Sequence, residues 1–213
     1  MTGMKHDEKD EKHIRAMNGT SCAFKGLSCD PVEMATYEIK SADARRASLA
    51  SIVFINGFAT IALLAALAMI WRVPLVFPSL GPTAFLLFAS PEAPSACPRN
   101  TLWGHAIGIL CGYGALWLTG LQHAPSAMLE GVNLARVAAA AFSLASTGAL
   151  MILLDVVHSP AGATTLIISL GIITHPLHLL AIEAAVALIV IQAFVTHRLR
   201  SIAYPLWSPR TEM

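Results

Sequence analysis

The sequence predicts an all-α polytopic membrane protein of about six membrane segments in two repeated halves, each half holding one short Pro/Gly-broken helix. Three observations predict it: charge is swept out of the middle of the chain, four apolar runs are long, and two shorter ones are interrupted by Pro and Gly. Between Ala47 and His197 the only charged side chains are Arg72, Glu92, Arg99, Glu130, Arg136, Asp155 and Glu183. A water-facing surface needs far more charge than this, so the solvent of residues 47–200 is lipid. With 55% hydrophobic residues in 213, the chain crosses several times rather than hanging from one anchor.

Residues 1–46 carry eight basic and eight acidic side chains. Such a mixture buries too little apolar surface to offset chain entropy, so this tail is expected to be mostly disordered. Residues 201–213 form a second, short tail. No secretory signal fits, because the first apolar run begins near Leu49. Cys22, Cys29, Cys97 and Cys111 match neither a zinc nor a redox spacing, and four unlinked thiols are expected.

Residues 49–71 are the first span, without charge and with Asn56 inside; Arg45 and Arg46 precede it, and Trp71 and Arg72 mark its far edge. Residues 73–90 differ. Pro74, Pro78 and Pro82 each lack a backbone donor and Gly81 loosens the chain, which predicts an extended lead into a half-helix capped by Ser79 or Thr83. Lipid cannot satisfy the freed carbonyls, so this backbone faces protein or a water-filled cavity. After a turn-rich loop, 91–100, residues 101–121 form a third helix. Gly104, Gly108 and Gly112 share one of its faces and permit close approach, either of a neighbouring helix or of a second copy of the chain in a homo-oligomer. A fourth helix, 134–154, is rich in Ala, Ser and Thr and ends at Asp155. A second broken segment, 156–173, precedes the last span, 177–196.

The broken segments share a pattern: Gly81-Pro-Thr-Ala-Phe-Leu-Leu aligns with Gly162-Ala-Thr-Thr-Leu-Ile-Ile. Each lies between long helices, which reads as an internal duplication. If both segments cross, Lys40, Arg45, Arg46, Arg99, Arg198, Arg200 and Arg210 share one side and only Arg72 and Arg136 fall opposite. If both are re-entrant hairpins, four spans remain and Arg99 changes sides. The positive-inside rule favours six spans with both termini cytoplasmic.

The candidate chemistry sits in these segments. Ser79, Gly81 and Thr83 open the first; His158, Ser159, Pro160, Gly162 and Thr164 open the second. Helix N-termini carry unpaired amides and a positive dipole end, which suit a small anion. His158 either donates to such an anion or caps its own helix. Asp155 either orients His158 or stands in water, and Glu183, six residues into the last span, either carries a coupled proton or hydrogen-bonds to neighbours. Arg99 and Asn100, followed by His105, either meet an entering anion or only set topology. His175 and His178 share a face, but their place near a membrane edge argues against a metal site. No nucleotide loop, nucleophile elbow, metalloprotease motif or basic–aromatic patch is present, so neither an enzyme, a cofactor nor a nucleic-acid partner is expected.

The run from Pro78 to Asn100, ending in Gly104-His105, resembles the first signature of the HPP family of integral membrane proteins. The second signature of that family is His-Pro-Pro-Ala-Gly-Ala-Thr, and here it stands as His158-Ser-Pro-Ala-Gly-Ala-Thr164. Ser159 replaces the first proline, freeing an N–H and adding a hydroxyl. The resemblance implies a four-span protein, against the six counted from the residues, and it implies nitrite transport, with which some plastid and cyanobacterial members are associated. The combined expectation is a transporter or channel-like permease for a small inorganic anion in a bacterial inner membrane. Its alternative is a non-transporting scaffold or sensor whose charged tail recruits a partner.

Overall fold

The computed structural model describes residues 31–209. They form α1 (Pro31–Trp71), α2 (Leu80–Ala89), α3 (Pro98–Leu118), α4 (Ala127–Glu130), α5 (Leu134–Leu153), α6 (Ala161–Ser169) and α7 (Pro176–Leu199), with one 3-10 turn at Pro94–Ala96. There is no strand among the described residues. The expected disorder of residues 1–30, together with Cys22, Cys29 and Arg210, falls outside the described residues.

Among the described residues four helices are long and apolar enough to cross a bilayer: Glu38–Trp71 within α1, and all of α3, α5 and α7. The two broken segments carry the short helices α2 and α6, of ten and nine residues. At ~1.5 Å per residue each reaches about half of a ~30 Å hydrocarbon layer. Large apolar side chains such as Phe58, Ile70, Leu110, Leu118, Ile152 and Leu180 face outward. That pattern is unfavourable in water and natural in lipid.

Helix ends differ from the sequence reading where charge and helix signals diverge. α1 begins at Pro31 rather than Leu49, because Arg45 and Arg46 limit the lipid-soluble part of a helix without stopping its hydrogen-bond ladder. α3 and α7 begin at Pro98 and Pro176, where a missing N–H costs nothing in the first turn. Cys97 caps α3 by accepting the Asn100 amide on sulfur.

The chain divides into two compact units, residues 1–51 and 52–213. In the first, the described part is helical, and Arg46 lies 3.7 Å from Asp43 on the next turn. In the second, α3 is the central helix and packs against α5, α6 and α7, while α2 packs against α7. Leu64, Leu80, Leu87, Phe88, Leu116, Ile168, Ile182 and Ile189 are buried together in its core. Asn56 ties α1 to α7: its carbonyl accepts from Gln192 and its side-chain oxygen from Thr196.

The glycine stripe of α3 is filled from within the chain. A Cβ added at Gly104 would lie 2.6 Å from Cβ of His158, at Gly108 2.9 Å from the Ala161 carbonyl oxygen, and at Gly112 2.9 Å from that of Thr165. The second broken segment therefore runs against the backbone of α3. Its start is held beside the loop before α3, where Arg99 donates to the Leu154 carbonyl. Its end meets the connection between α3 and α5, where the Ala127 amide donates to Leu170.

Arg136 was expected to be a topological charge. It is instead 2% exposed and donates to the carbonyls of Ser169, Ala124 and Pro125. Of these carbonyls that of Ser169 ends α6, and those of Ala124 and Pro125 lie in the connection after α3, so the guanidinium caps the negative end of α6 and ties it to that connection.

Candidate functional site

His105 lies seven residues into α3, about 10 Å along its axis. Helical periodicity puts it beside the glycine stripe, and the absence of side chains on that stripe lets His158 come close. Both rings are fully buried, with centroids 5.1 Å apart and planes inclined by 52°.

Each short helix delivers one threonine to this pair. Thr83, in the first turn of α2, has its hydroxyl oxygen 2.9 Å from Nε2 of His105 and 3.3 Å from Nε2 of His158. Thr164, in the first turn of α6, lies 2.8 Å from Nδ1 of His105. Nδ1 of His158 lies 2.8 Å from the backbone carbonyl oxygen of Ser95. Both threonines are completely buried. Six candidate residues from three separate stretches thus converge, or border the point of convergence: Ser79, Thr83, His105, His158, Pro160 and Thr164.

Ser79 precedes α2 without capping it through its side chain. Its carbonyl accepts from Thr83 at 3.1 Å, and its own buried hydroxyl has no partner. At α6 the first-turn amides of Ala161, Gly162 and Ala163 turn back to the carbonyls of His158, Ser159 and Pro160, each at 3.1 Å. Gly81 and Ser159 are exposed, and Gly162 is half-buried against Leu144. A cavity of about 190 Å³ flanks this helix start, lined by Leu144, Thr147, Met151, Val157, Ser159 and Gly162. Below it Thr147 and Thr165 bond to each other at 3.0 Å.

The charged candidates lie apart from the cluster. Arg99 is half-buried and 3.8 Å from the exposed Asp155, which sits in a left-handed turn at φ 53° after α5. Asp155 is thus engaged with Arg99, and the Ser95 carbonyl holds the His158 ring. The Asn100 side chain donates to the Pro94 carbonyl at 3.0 Å, bracing the loop that presents Ser95. Glu183 is half-buried on α7, and one of its carboxylate oxygens is buried without a partner. His175 and His178 have ring centroids 5.1 Å apart at the start of α7.

Sequence reasoning missed Ser95 and Tyr204. Ser95 contributes a backbone carbonyl, which no residue type signals. The Tyr204 hydroxyl donates to the Ala96 carbonyl at 2.8 Å, and the Trp207 carbonyl accepts from the Arg99 amide at 3.0 Å, so the C-terminal segment clasps the same loop. Burial pushes the Tyr204 phenol and the Cys97 thiol above their usual ranges, and both remain protonated at neutral pH.

No curated protein and no solved structure matches the chain. Residues 42–205 match the family described as HPP, transmembrane region. That match takes in the membrane helices α3, α5 and α7, both broken segments and every residue of the histidine–threonine cluster. This chain, with Ser159 where the family signature has proline, is an integral membrane protein of the HPP family.

Proposed function

We propose that this protein is a membrane transporter or channel-like permease for a small inorganic anion, nitrite being the substrate its family suggests. The observation that carries the reading is the convergence of His105, His158, Thr83 and Thr164 inside an apolar bundle, where each of two broken helices brings one threonine to the histidine pair. Buried ionisable and hydroxyl side chains at membrane depth are costly unless they serve a solute or proton pathway, and broken helices are how such pathways are commonly framed.

The two segments are read as half-crossing elements completed by their extended leads, which gives six membrane segments in two inverted halves. Supporting this, the second segment starts beside the loop before α3 and ends beside the connection after it, at opposite ends of one spanning helix. Arg99, Arg198 and Arg200 mark the cytoplasmic face by the positive-inside rule, and an even number of crossings returns both termini there. The bacterial inner membrane is the proposed location.

In this reading the anion enters by way of Arg99, whose solvent-screened pairing with Asp155 is weak enough to open. It is then held by hydroxyl and imidazole donors at the starts of α2 and α6, near Gly81–Thr83 and Ser159–Thr164. Glu183 is a reserve site for a coupled proton.

The test is nitrite uptake by proteoliposomes at about pH 7.5, where little of the membrane-permeant free acid is present. Saturable uptake above that of empty liposomes, lost in His158→Ala with folding intact, supports the proposal. Wild-type flux in that variant, or no flux of nitrite, nitrate or formate in the wild type, overturns it.

A further inference from the structure

The tautomers of both rings in the cluster follow from one acceptor. A backbone carbonyl only accepts, so the bond to Ser95 places a proton on Nδ1 of His158. A neutral His158 then has a bare Nε2, 3.3 Å from the Thr83 hydroxyl oxygen, whose one proton goes either to this nitrogen or to the Ser79 carbonyl at 3.1 Å. With its proton committed, the Thr83 oxygen accepts from Nε2 of His105 at 2.9 Å. Nδ1 of His105 is thereby bare and accepts from the Thr164 hydroxyl at 2.8 Å. When the Thr83 hydroxyl turns from Ser79 to His158, the four bonds run one way, from Thr164 through His105, Thr83 and His158 to Ser95.

We infer that His105, Thr83 and His158 form a single proton relay, with the two imidazoles held in opposite tautomers. A proton arriving from water or a bound weak acid binds Nδ1 of His105, displacing the Thr164 hydroxyl. The Nε2–H bond of His105 then breaks as an O–H bond forms at Thr83, and the former Thr83 O–H bond breaks as N–H forms on Nε2 of His158. One positive charge has moved between rings and no atom has been gained. The proton leaves from Nδ1 of His158 to water once the bond to Ser95 opens. Thr83 has a second acceptor, the Ser79 carbonyl at 3.1 Å, to which its hydroxyl turns while His158 is charged.

Other titratable or charged groups on the surrounding elements are Glu92 and Cys97 in the loop, Arg99, Cys111 and Tyr113 on α3, Arg136 on α5, Asp155 after it, and His175, His178, Glu183, His197 and Arg198 on α7. None is hydrogen-bonded to either ring. The relay deepens the transport reading by assigning a proton to the same site, but its tautomers can be measured without transport.

The experiment is solid-state NMR of the full-length chain, labelled with ¹⁵N-histidine, in lipid bilayers. His105→Asn and His158→Asn assign the two rings. The expected result is Nδ1–H on His158 and Nε2–H on His105 at neutral pH, with both rings responding to acid over the same pH range in wild type and Thr83→Ser. Thr83→Val should separate the two responses. The same tautomer on both rings, or independent titration in the wild type, overturns the relay whether or not Thr83→Val folds. In proteoliposomes, Thr83→Ser should keep nitrite-driven proton uptake, and Thr83→Val should lose it by about a hundredfold. Nitrite flux without proton movement overturns the relay and leaves transport standing. Opposite tautomers and a shared titration with no anion flux overturn transport and leave the relay standing.

Discussion

Thr83 and Thr164 stand 81 positions apart and bond to opposite ring nitrogens of His105, at 2.9 and 2.8 Å. They are also the third residues of the two aligned runs, Gly81-Pro-Thr83 and Gly162-Ala-Thr164. The local likeness seen in the sequence therefore ends in one shared imidazole. Each threonine lies in the first turn of a short helix, entered through Pro78 in the first segment and Pro160 in the second.

The close approach of His158 to α3 makes Gly104 sensitive. A methyl group there would meet Cβ of His158 at 2.6 Å, whereas one at Gly114 meets nothing within 4 Å. Gly104→Ala should destabilise by about 1–3 kcal/mol through overpacking, and Gly114→Ala should be neutral or slightly stabilising. Unfolding of the purified variants in mixed detergent reads the difference. Equal midpoints would show that His158 moves aside without strain.

Arg136 should be indispensable to folding rather than to specificity. Removing it takes this donor from the carbonyls of Ser169, Ala124 and Pro125, the first of them in a buried residue. Arg136→Ala should cost about 2–5 kcal/mol and lower the yield of folded protein. Gly171→Ala should show the same defect, because its φ is +76° and a Cβ would lie 2.6 Å from the guanidinium. A stable Arg136→Ala protein would contradict the capping role.

Ser159→Pro rebuilds the family signature and should be tolerated. Ser159 is exposed, and its carbonyl, which proline would keep, already serves the Gly162 amide. Nitrite uptake should stay within about twofold of wild type, since a residue fixed at φ near −65° loses no bond here. A loss as deep as that of His158→Ala would mean that the serine hydroxyl, which faces the 190 Å³ cavity, contacts the anion.

Cys97 should label slowly with maleimide in a variant where it is the sole cysteine. Burial raises its thiol above the usual range, outweighing the amide of Asn100 and the charge of Arg99, which lower it. The thiolate is the reactive form, so a raised value means less of it at any given pH. Labelling at about pH 8 should be slower than in the denatured chain and should accelerate at higher pH than for a free thiol. Equal rates in folded and denatured protein would show that the loop before α3 is open.

The sequence by itself determined the membrane class, three of the four long helices to within a few residues and the far end of the first, and the two broken segments. Each rests on information local in the chain: charge depletion, apolar length, and the rigidity and missing donors of proline. It also singled out Thr83, His105, His158 and Thr164, because polar groups in apolar runs are conspicuous. Tertiary structure alone decided which of these meet. The glycine stripe of α3 is filled by the second broken segment, an outcome that depends on backbone approach over long separations. Arg136 took a role other than the expected one for the same reason: a charge near a helix end is either topological or a cap, and only the position of foreign carbonyls distinguishes the two. Ser95 could not have been foreseen, since the group it supplies is a carbonyl that every residue has.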